Sequence, residues 1–141
     1  PATSTEALTG AHAREHLRRL LDERQAVVAT PIDGGFLASE FLPVGNGQQI
    51  RIAYAPVGLF RFFLEIVNAQ VEGSAQHVSL SIRVEEAATG WDVMTRRQDA
   101  PDADGITRSE RKPARQAFGL ATHCVDWYVT GLRHGPVPAD A

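Results

Sequence analysis

Residues 57–71, VGLFRFFLEIVNAQV, decide the fold of this chain, because they fit two different periods. A helical stripe would join Leu59, Phe62, Phe63, Ile66 and Val67. A strand would instead place Phe62, Leu64 and Ile66 on one face. Pro56 suits the first turn of a helix, and a strand of this length would exceed the usual range. The sequence therefore predicts a helix over 57–71.

The segments before this stretch predict one helix and three strands. Helical spacing of apolar residues indicates a helix over about 5–24, with Thr3 and Glu6 in a capping-box arrangement. β-Branched and alternating segments follow at 25–32, 36–44 and 48–55. Glycine-containing turns at 33–35 and 45–47 separate them, so we expect a three-stranded meander.

The segments after it predict a hairpin and a second long helix. Residues 77–85 alternate, with Val78, Leu80, Ile82 and Val84 on one face, and 91–95 form the partner strand. An acidic loop follows at 99–105. A helix then begins either after Thr107, in a second capping-box spacing, or after Pro113, and runs to about 132.

Together these elements predict an α+β fold in the order α-β-β-β-α-β-β-α. The antiparallel sheet has about five strands, flanked by N-terminal and C-terminal helices and joined by the middle helix. With 141 residues, the chain has the size of a single domain. We expect mobile N-terminal residues and a mobile proline-rich tail from about 135.

Charge and composition narrow the range of partners. The formal net charge of -3 argues against nucleic acid, because a phosphate backbone requires a positive field. The single cysteine, Cys124, cannot form an internal disulfide, and no apolar run is long enough for a membrane span. We therefore expect a cytoplasmic protein with neither nucleic acid nor membrane as partner.

Three short motifs suggest chemistry, and each is better explained as structure. His12 and His16 stand in an HxxEH pattern, but a zinc site needs a third ligand and a cleft. The acidic run before Gly105 lacks the register of a calcium loop. His123 diverges by about 100 degrees from Cys124 on a helix and cannot act as its base. We expect no catalytic residue, no metal and no cofactor.

Aromatic residues are the best candidates for a binding site. Phe60, Phe62 and Phe63 crowd into one short segment, so a helix there would be apolar around more than half its circumference. Burial on two sides follows, by the core and by a partner or ligand. The predicted partner-binding or ligand-binding residues are Phe60, Phe62, Phe63, Trp91 and Trp127. Burial of all of them in the chain's own core is the alternative.

The predicted element order resembles the type III secretion chaperone-like superfamily. The segments that carry the resemblance are Leu17–Leu21 for the first helix, Asp33–Gly35 for the first turn, Phe63–Asn68 for the middle helix and Val125–Tyr128 for the last. The resemblance implies a small acidic homodimer that binds another protein through apolar patches, without catalysis. The expected function is thus a non-enzymatic adaptor or chaperone-like domain.

Two alternatives remain open. One is a small-molecule-binding domain or small enzyme, whose pocket would be lined by the phenylalanines and Trp91, with His77, Asp92 or His123 as polar groups. The other is an assembly component that oligomerises through a sheet edge. An enclosed apolar cavity favours the first, and an exposed apolar face favours the adaptor.

Overall fold

The structure is a computed structural model that describes residues 9–45, 47–68, 77–98 and 105–134; residues 45, 77 and 131–134 are described by their backbone alone. Within these residues, two helices flank eight strands in sequence. Their bounds are α1 Gly10–Glu23, β1 Val28–Ile32, β2 Phe36–Ser39, β3 Leu42–Gly45, β4 Gln48–Tyr54, β5 Arg61–Asn68, β6 His77–Ala87, β7 Gly90–Arg97, β8 Ile106–Lys112 and α2 Ala114–His134. The α+β class and the two terminal helices are confirmed.

All strand pairs in the sheet are antiparallel, and the order is β1-β2-β4-β5-β6-β7-β8. The strand β3 also pairs with β4, beyond the end of β2. Leu37 lies opposite Tyr54, and Leu42 lies opposite Ile50, so β2 and β3 share one side of β4. The single strand predicted over 36–44 is therefore two strands, interrupted at 40–41.

The predicted middle helix is wrong, because residues 61–68 form the central strand β5. Seven residues of β5, from Phe62 to Asn68, pair with β4, and the whole strand pairs with β6. Gly58 has a positive φ of 81°, so Pro56 and Gly58 lie in the turn that leads into the strand. The sheet consequently has eight strands in its described part, against about five predicted. The helical segment Phe63–Asn68 on which the family resemblance drew is absent.

The second capping box is also wrong. Thr107 and Glu110 lie in strand β8, where they face Arg96 and Val93 of β7. The helix α2 begins directly after Pro113, as the other sequence interpretation predicted. At the N-terminus, Thr9 caps α1 by accepting a hydrogen bond from the His12 N–H at 3.3 Å.

Some of the sequence predictions concern residues outside the described part of the chain, and others are confirmed within it. Thr3, Glu6, most of the acidic loop and the tail from 135 lie outside. The predicted strand over 77–85 and its partner over 91–95 are confirmed as β6 and β7. Val78 differs, because a register shift places it opposite Val67, and 39% of it is exposed.

Both described helices pack on the same face of the sheet. Their orientation is parallel, because the His16 ring contacts Phe118 and Arg24 pairs with Asp126. The buried stripe of α1 is Ala13, Leu17 and Leu21. That of α2 begins with small side chains, which bring its backbone close to the sheet: Ala114, Ala117, Ala121 and Cys124, followed by Val125 and Tyr128.

The Glu86 carboxylate, at the end of β6, fastens the start of α1 to the sheet. It accepts hydrogen bonds from the backbone N–H of Gly10 at 3.2 Å and of Phe60 at 2.9 Å. A negative charge at a helix N-terminus also complements the helix dipole. Gly10 is required here, since a Cβ on it would overlap the Glu86 carboxylate. We call this arrangement the Glu86 clasp.

The two edges of the sheet are unsuited to pairing with another chain. Pro31 lies in the edge strand β1 and has no N–H to donate. The other edge strand, β8, is ITRSERK, and its side chains are almost all exposed. Proline and charged side chains at an edge oppose edge-to-edge assembly. The edges therefore argue against an assembly component that oligomerises through the sheet.

Candidate functional site

The face of the sheet away from the helices, which we call the open face, carries charged and polar side chains in cross-strand rows. Because side chains alternate along a strand, residues between the core positions point to this face. One row is Arg51, Glu65, Ser81, Arg96 and Thr107; the next is Ala53, Phe63, Arg83, Met94 and Ser109; the third is Arg61, Glu85, Asp92 and Arg111. In these rows five arginines stand against three carboxylates.

An aromatic patch lies at the β2–β5 end of the open face. Phe63 is only 5% exposed, because the Phe36 ring contacts it edge-on at 5.1 Å and arginines cover it. The guanidinium of Arg83 lies 5.4 Å from the centre of the Phe63 ring, and that of Arg61 lies 4.7 Å from the Phe36 ring. These distances suit cation–π attraction, which holds the arginines over the rings.

Two ion pairs neutralise part of the open face. Arg51 pairs with Glu65 at 2.5 Å, and the two side chains are 23% and 15% exposed. Arg111 pairs with Asp92 at 2.6 Å nearer to the β8 edge. Both pairs lock an arginine to a neighbouring strand, and they occupy two of the three carboxylates of the face.

A shallow depression of about 290 Å³ lies on the open face between β5, β6 and β7. Its lining combines cationic, hydroxyl and aliphatic groups, among them Ser81, Arg83, Met94, Arg96 and Val78. Met94 is 40% exposed. The sequence interpretation did not single out either arginine. Alternation along 77–85 puts Arg83 on the face opposite to Leu80 and Ile82, but the proximity of Arg96 depends on the β6–β7 register.

The predicted aromatic site residues do not come together on a surface. Phe60, Phe62 and Trp91 are buried under the helices, where the Phe60 and Trp91 rings lie 5.0 Å apart. Phe63 lies on the other side of the sheet. Trp127 is half-buried on α2, with its ring 4.5 Å from that of His123. Their placement fits the packing alternative, and a binding role for them stays a prediction.

The polar groups suggested for an enclosed pocket are scattered. Asp92 lies on the open face in its pair with Arg111, and His123 is exposed on α2. The side chain of His77 lies outside the described part. Three surface depressions formed by described residues have other linings, to which Phe60, Phe62, Phe63 and Trp91 do not contribute.

One of these depressions lies beside the C-terminal half of α2. It has a volume of about 340 Å³ and lies between the α1–β1 connection, the start of β3 and α2. Leu42, Tyr128 and Val129 supply its apolar wall. Burial raises the pKa of the Tyr128 hydroxyl, although a hydrogen bond with Ser39 acts in the opposite direction. The hydroxyl is therefore uncharged at neutral pH.

The histidine and cysteine motifs lie in the two helices, whereas the acidic run before Gly105 lies outside the described residues. His12 and His16 are exposed, and Glu15 between them hydrogen-bonds Arg18 at 2.8 Å. That bond and the Arg18 charge lower the pKa of Glu15. Within the described ranges, no group of three or more His, Cys, Asp or Glu side chains is placed to hold a metal ion. Cys124 is buried, and desolvation raises the pKa of its thiol, so it is a packing residue.

Comparisons with known proteins return no relative of this chain. No family model, no curated protein and no solved structure matches it. Among the described residues, no helix has the length and apolar character needed to cross a bilayer.

Proposed function

We propose that this chain is a non-enzymatic, adaptor-like or chaperone-like domain that binds another protein on the open face of its sheet. The observation that carries the proposal is the composition of this face. It presents exposed arginines beside exposed aliphatic side chains on an eight-stranded sheet. The sheet already fixes the backbone that carries these side chains, so a partner has to order the side chains alone, which favours recognition.

The proposal includes a homodimer, and the open face is a poor surface for it. A symmetric dimer through that face would bring one arginine-rich surface against its own copy. Pro31 in β1 and the charged side chains of β8 oppose a dimer through the sheet edges. The outer surface of α2, with half-buried Trp127 and Leu120, is the surface that fits a self-complementary contact better. A reducing cytoplasm suits the free, buried Cys124.

A cross-linking experiment with a native mass measurement tests the proposal. A photoreactive phenylalanine analogue replaces Met94 on the open face, and in a control it replaces Arg19, which is exposed on α1. We expect a defined polypeptide cross-linked at position 94 but not at 19, and a native mass of two chains. A protein that is monomeric and cross-links nothing at position 94 would contradict it.

Small-molecule binding is the second candidate. The depression beside Tyr128 favours it, because its volume lies at the lower end of the range for ligand pockets and its wall is mostly apolar. Native mass spectrometry of the purified protein distinguishes the two. A retained small molecule that is lost on Tyr128→Ala would favour this second function.

A further inference from the structure

Arg83 and Arg96 occupy diagonal corners of one block in the β6–β7 register. Arg83 lies opposite Met94, and Ser81 lies opposite Arg96, so the four side chains share a single area of the open face. Diagonal neighbours in an antiparallel pair lie about 7–8 Å apart, which long side chains bridge easily. Two guanidinium groups can therefore reach one anionic group between them.

The positive charge of this block is not neutralised within the described part of the chain. The Glu65 carboxylate, which borders the depression, is engaged by Arg51 at 2.5 Å. Asp92 is engaged by Arg111. Among the described residues, no carboxylate lies within 4.0 Å of the guanidinium of Arg83 or Arg96. Both arginines are exposed, while the Phe63 ring supports Arg83 from below.

The surroundings of the two arginines narrow the chemistry of the ligand. Val78 and Met94, 39% and 40% exposed, place aliphatic surface directly beside the cationic groups. A carboxylate that is followed closely by an aliphatic group satisfies both. An extended polypeptide with Asp or Glu next to Leu, Ile or Val supplies this combination.

Nucleic acid fits the same surface less well. Single strands bind to sheets by stacking bases on exposed aromatic rings, and here the Phe63 ring is buried under Arg83. The chain also carries a net charge of -3, which opposes a polyanion outside this face. A second copy of the chain is disfavoured, since its own arginines would face these.

We propose that Arg83 and Arg96 form a carboxylate clamp that binds an acidic, aliphatic segment of the partner protein. This inference rests on the proposed function, because it names the chemistry of the partner on the same face. The Ser81 hydroxyl donates a hydrogen bond to the carboxylate at the floor of the clamp, and Met94 and Val78 contact the neighbouring aliphatic side chain. The clamp sets specificity, because a neutral segment would leave two guanidinium groups unpaired.

A defined probe tests the clamp directly. The probe is a fluorescein-labelled twelve-residue peptide of Glu-Glu-Leu repeats, compared with the same peptide in which Gln replaces Glu and with a twelve-nucleotide single-stranded DNA. Binding is measured by fluorescence anisotropy, and the site by backbone amide shifts in NMR spectra. We expect the Glu peptide to bind about tenfold more tightly than the Gln peptide, as one charge-assisted pair allows. Shifts should concentrate at Ser81 and Met94.

Substitutions separate the clamp from the general charge of the face. Arg83→Gln and Arg96→Gln should each weaken binding of the Glu peptide about tenfold. Arg108→Gln is the matched control, because Arg108 is exposed on the other face of β8 and the change in net charge is the same. It should change binding less than about twofold. Melting temperatures of all three variants confirm that they fold.

Three results would overturn the clamp: equal affinity for the Glu and Gln peptides, equal weakening by Arg108→Gln, or tighter, Arg83-dependent binding of the DNA. Failure of the proposed function has a different signature. If the double Arg83→Gln, Arg96→Gln variant still cross-links a polypeptide at position 94, the clamp is refuted. The proposed protein-binding function is then retained. If the otherwise unchanged chain cross-links no polypeptide at position 94, that result contradicts the proposed function. The peptide titration reports on the clamp alone.

Discussion

Glu86→Ala should destabilise the protein substantially, and α1 most of all. The substitution removes the carboxylate that accepts hydrogen bonds from the N–H groups of Gly10 and Phe60, both of which are buried. Leaving a buried donor unsatisfied costs about 1–3 kcal/mol. Glu86 itself is half-buried, so water can reach part of the vacated space. For the two donors together, we expect a loss of about 2–4 kcal/mol in the free energy of unfolding.

Urea denaturation measures this loss, and hydrogen exchange locates it. Amides of α1 should lose more protection than those of β5 and β6, because the clasp joins the helix start to the sheet. Glu85→Ala is the matched control: Glu85 is the preceding residue and is also half-buried, but it points to the open face. It should cost less than about 0.5 kcal/mol.

A second substitution checks the geometry of the clasp. Gly10→Ala should destabilise the unmodified protein, since its Cβ would overlap the Glu86 carboxylate. In the Glu86→Ala background most of that overlap is gone, so the same change should cost much less. The reasoning fails if Glu86→Ala costs no more than Glu85→Ala, or if the effects of Gly10→Ala and Glu86→Ala simply add.

Three further predictions follow from other parts of the structure. Phe63→Ala should lower the free energy of unfolding by about 3 kcal/mol in urea titrations, and a loss below about 1 kcal/mol would mean that the ring is not packed. The raised pKa of the Cys124 thiol means that the folded state holds the thiol proton more tightly than the unfolded state does. The contribution of the thiol to the free energy of unfolding is therefore fully present below about pH 9, and it falls by about 1.4 kcal/mol per pH unit above that. Cys124→Ala should flatten that pH dependence, and parallel curves would contradict the burial effect. Replacing both Arg108 and Glu110 with Val should make the β8 edge self-associate in light scattering at rising concentration, whereas an unchanged monomer–dimer balance would show that these charges do not protect the edge.

The candidate site was only partly predictable. The alternation of 79–85 placed Arg83 on a polar face from the sequence alone. Its proximity to Arg96 depends on pairing across a hairpin, and a one-residue slip would have moved every side chain to the opposite face. The placement of the aromatic residues depends on the same alternation of side chains along a strand. Phe62 and Phe63 are consecutive, so a strand sends one into the helix-covered core and the other to the open face.

The sequence by itself determined the elements whose signals are local. Apolar spacing predicted α1 and α2, and clean alternation with turn signals predicted β6 and β7, because these features arise from the geometry of neighbouring residues. Only the tertiary structure decided residues 57–71 and 106–112. The first segment is apolar at both periods, and the second is polar after Ile106, so neither carries a period that distinguishes helix from strand. Their conformation comes from hydrogen-bonded neighbours: β4 and β6 hold β5 on both sides, and β7 holds β8. Pairing between segments that are distant in sequence cannot be calculated from local propensity.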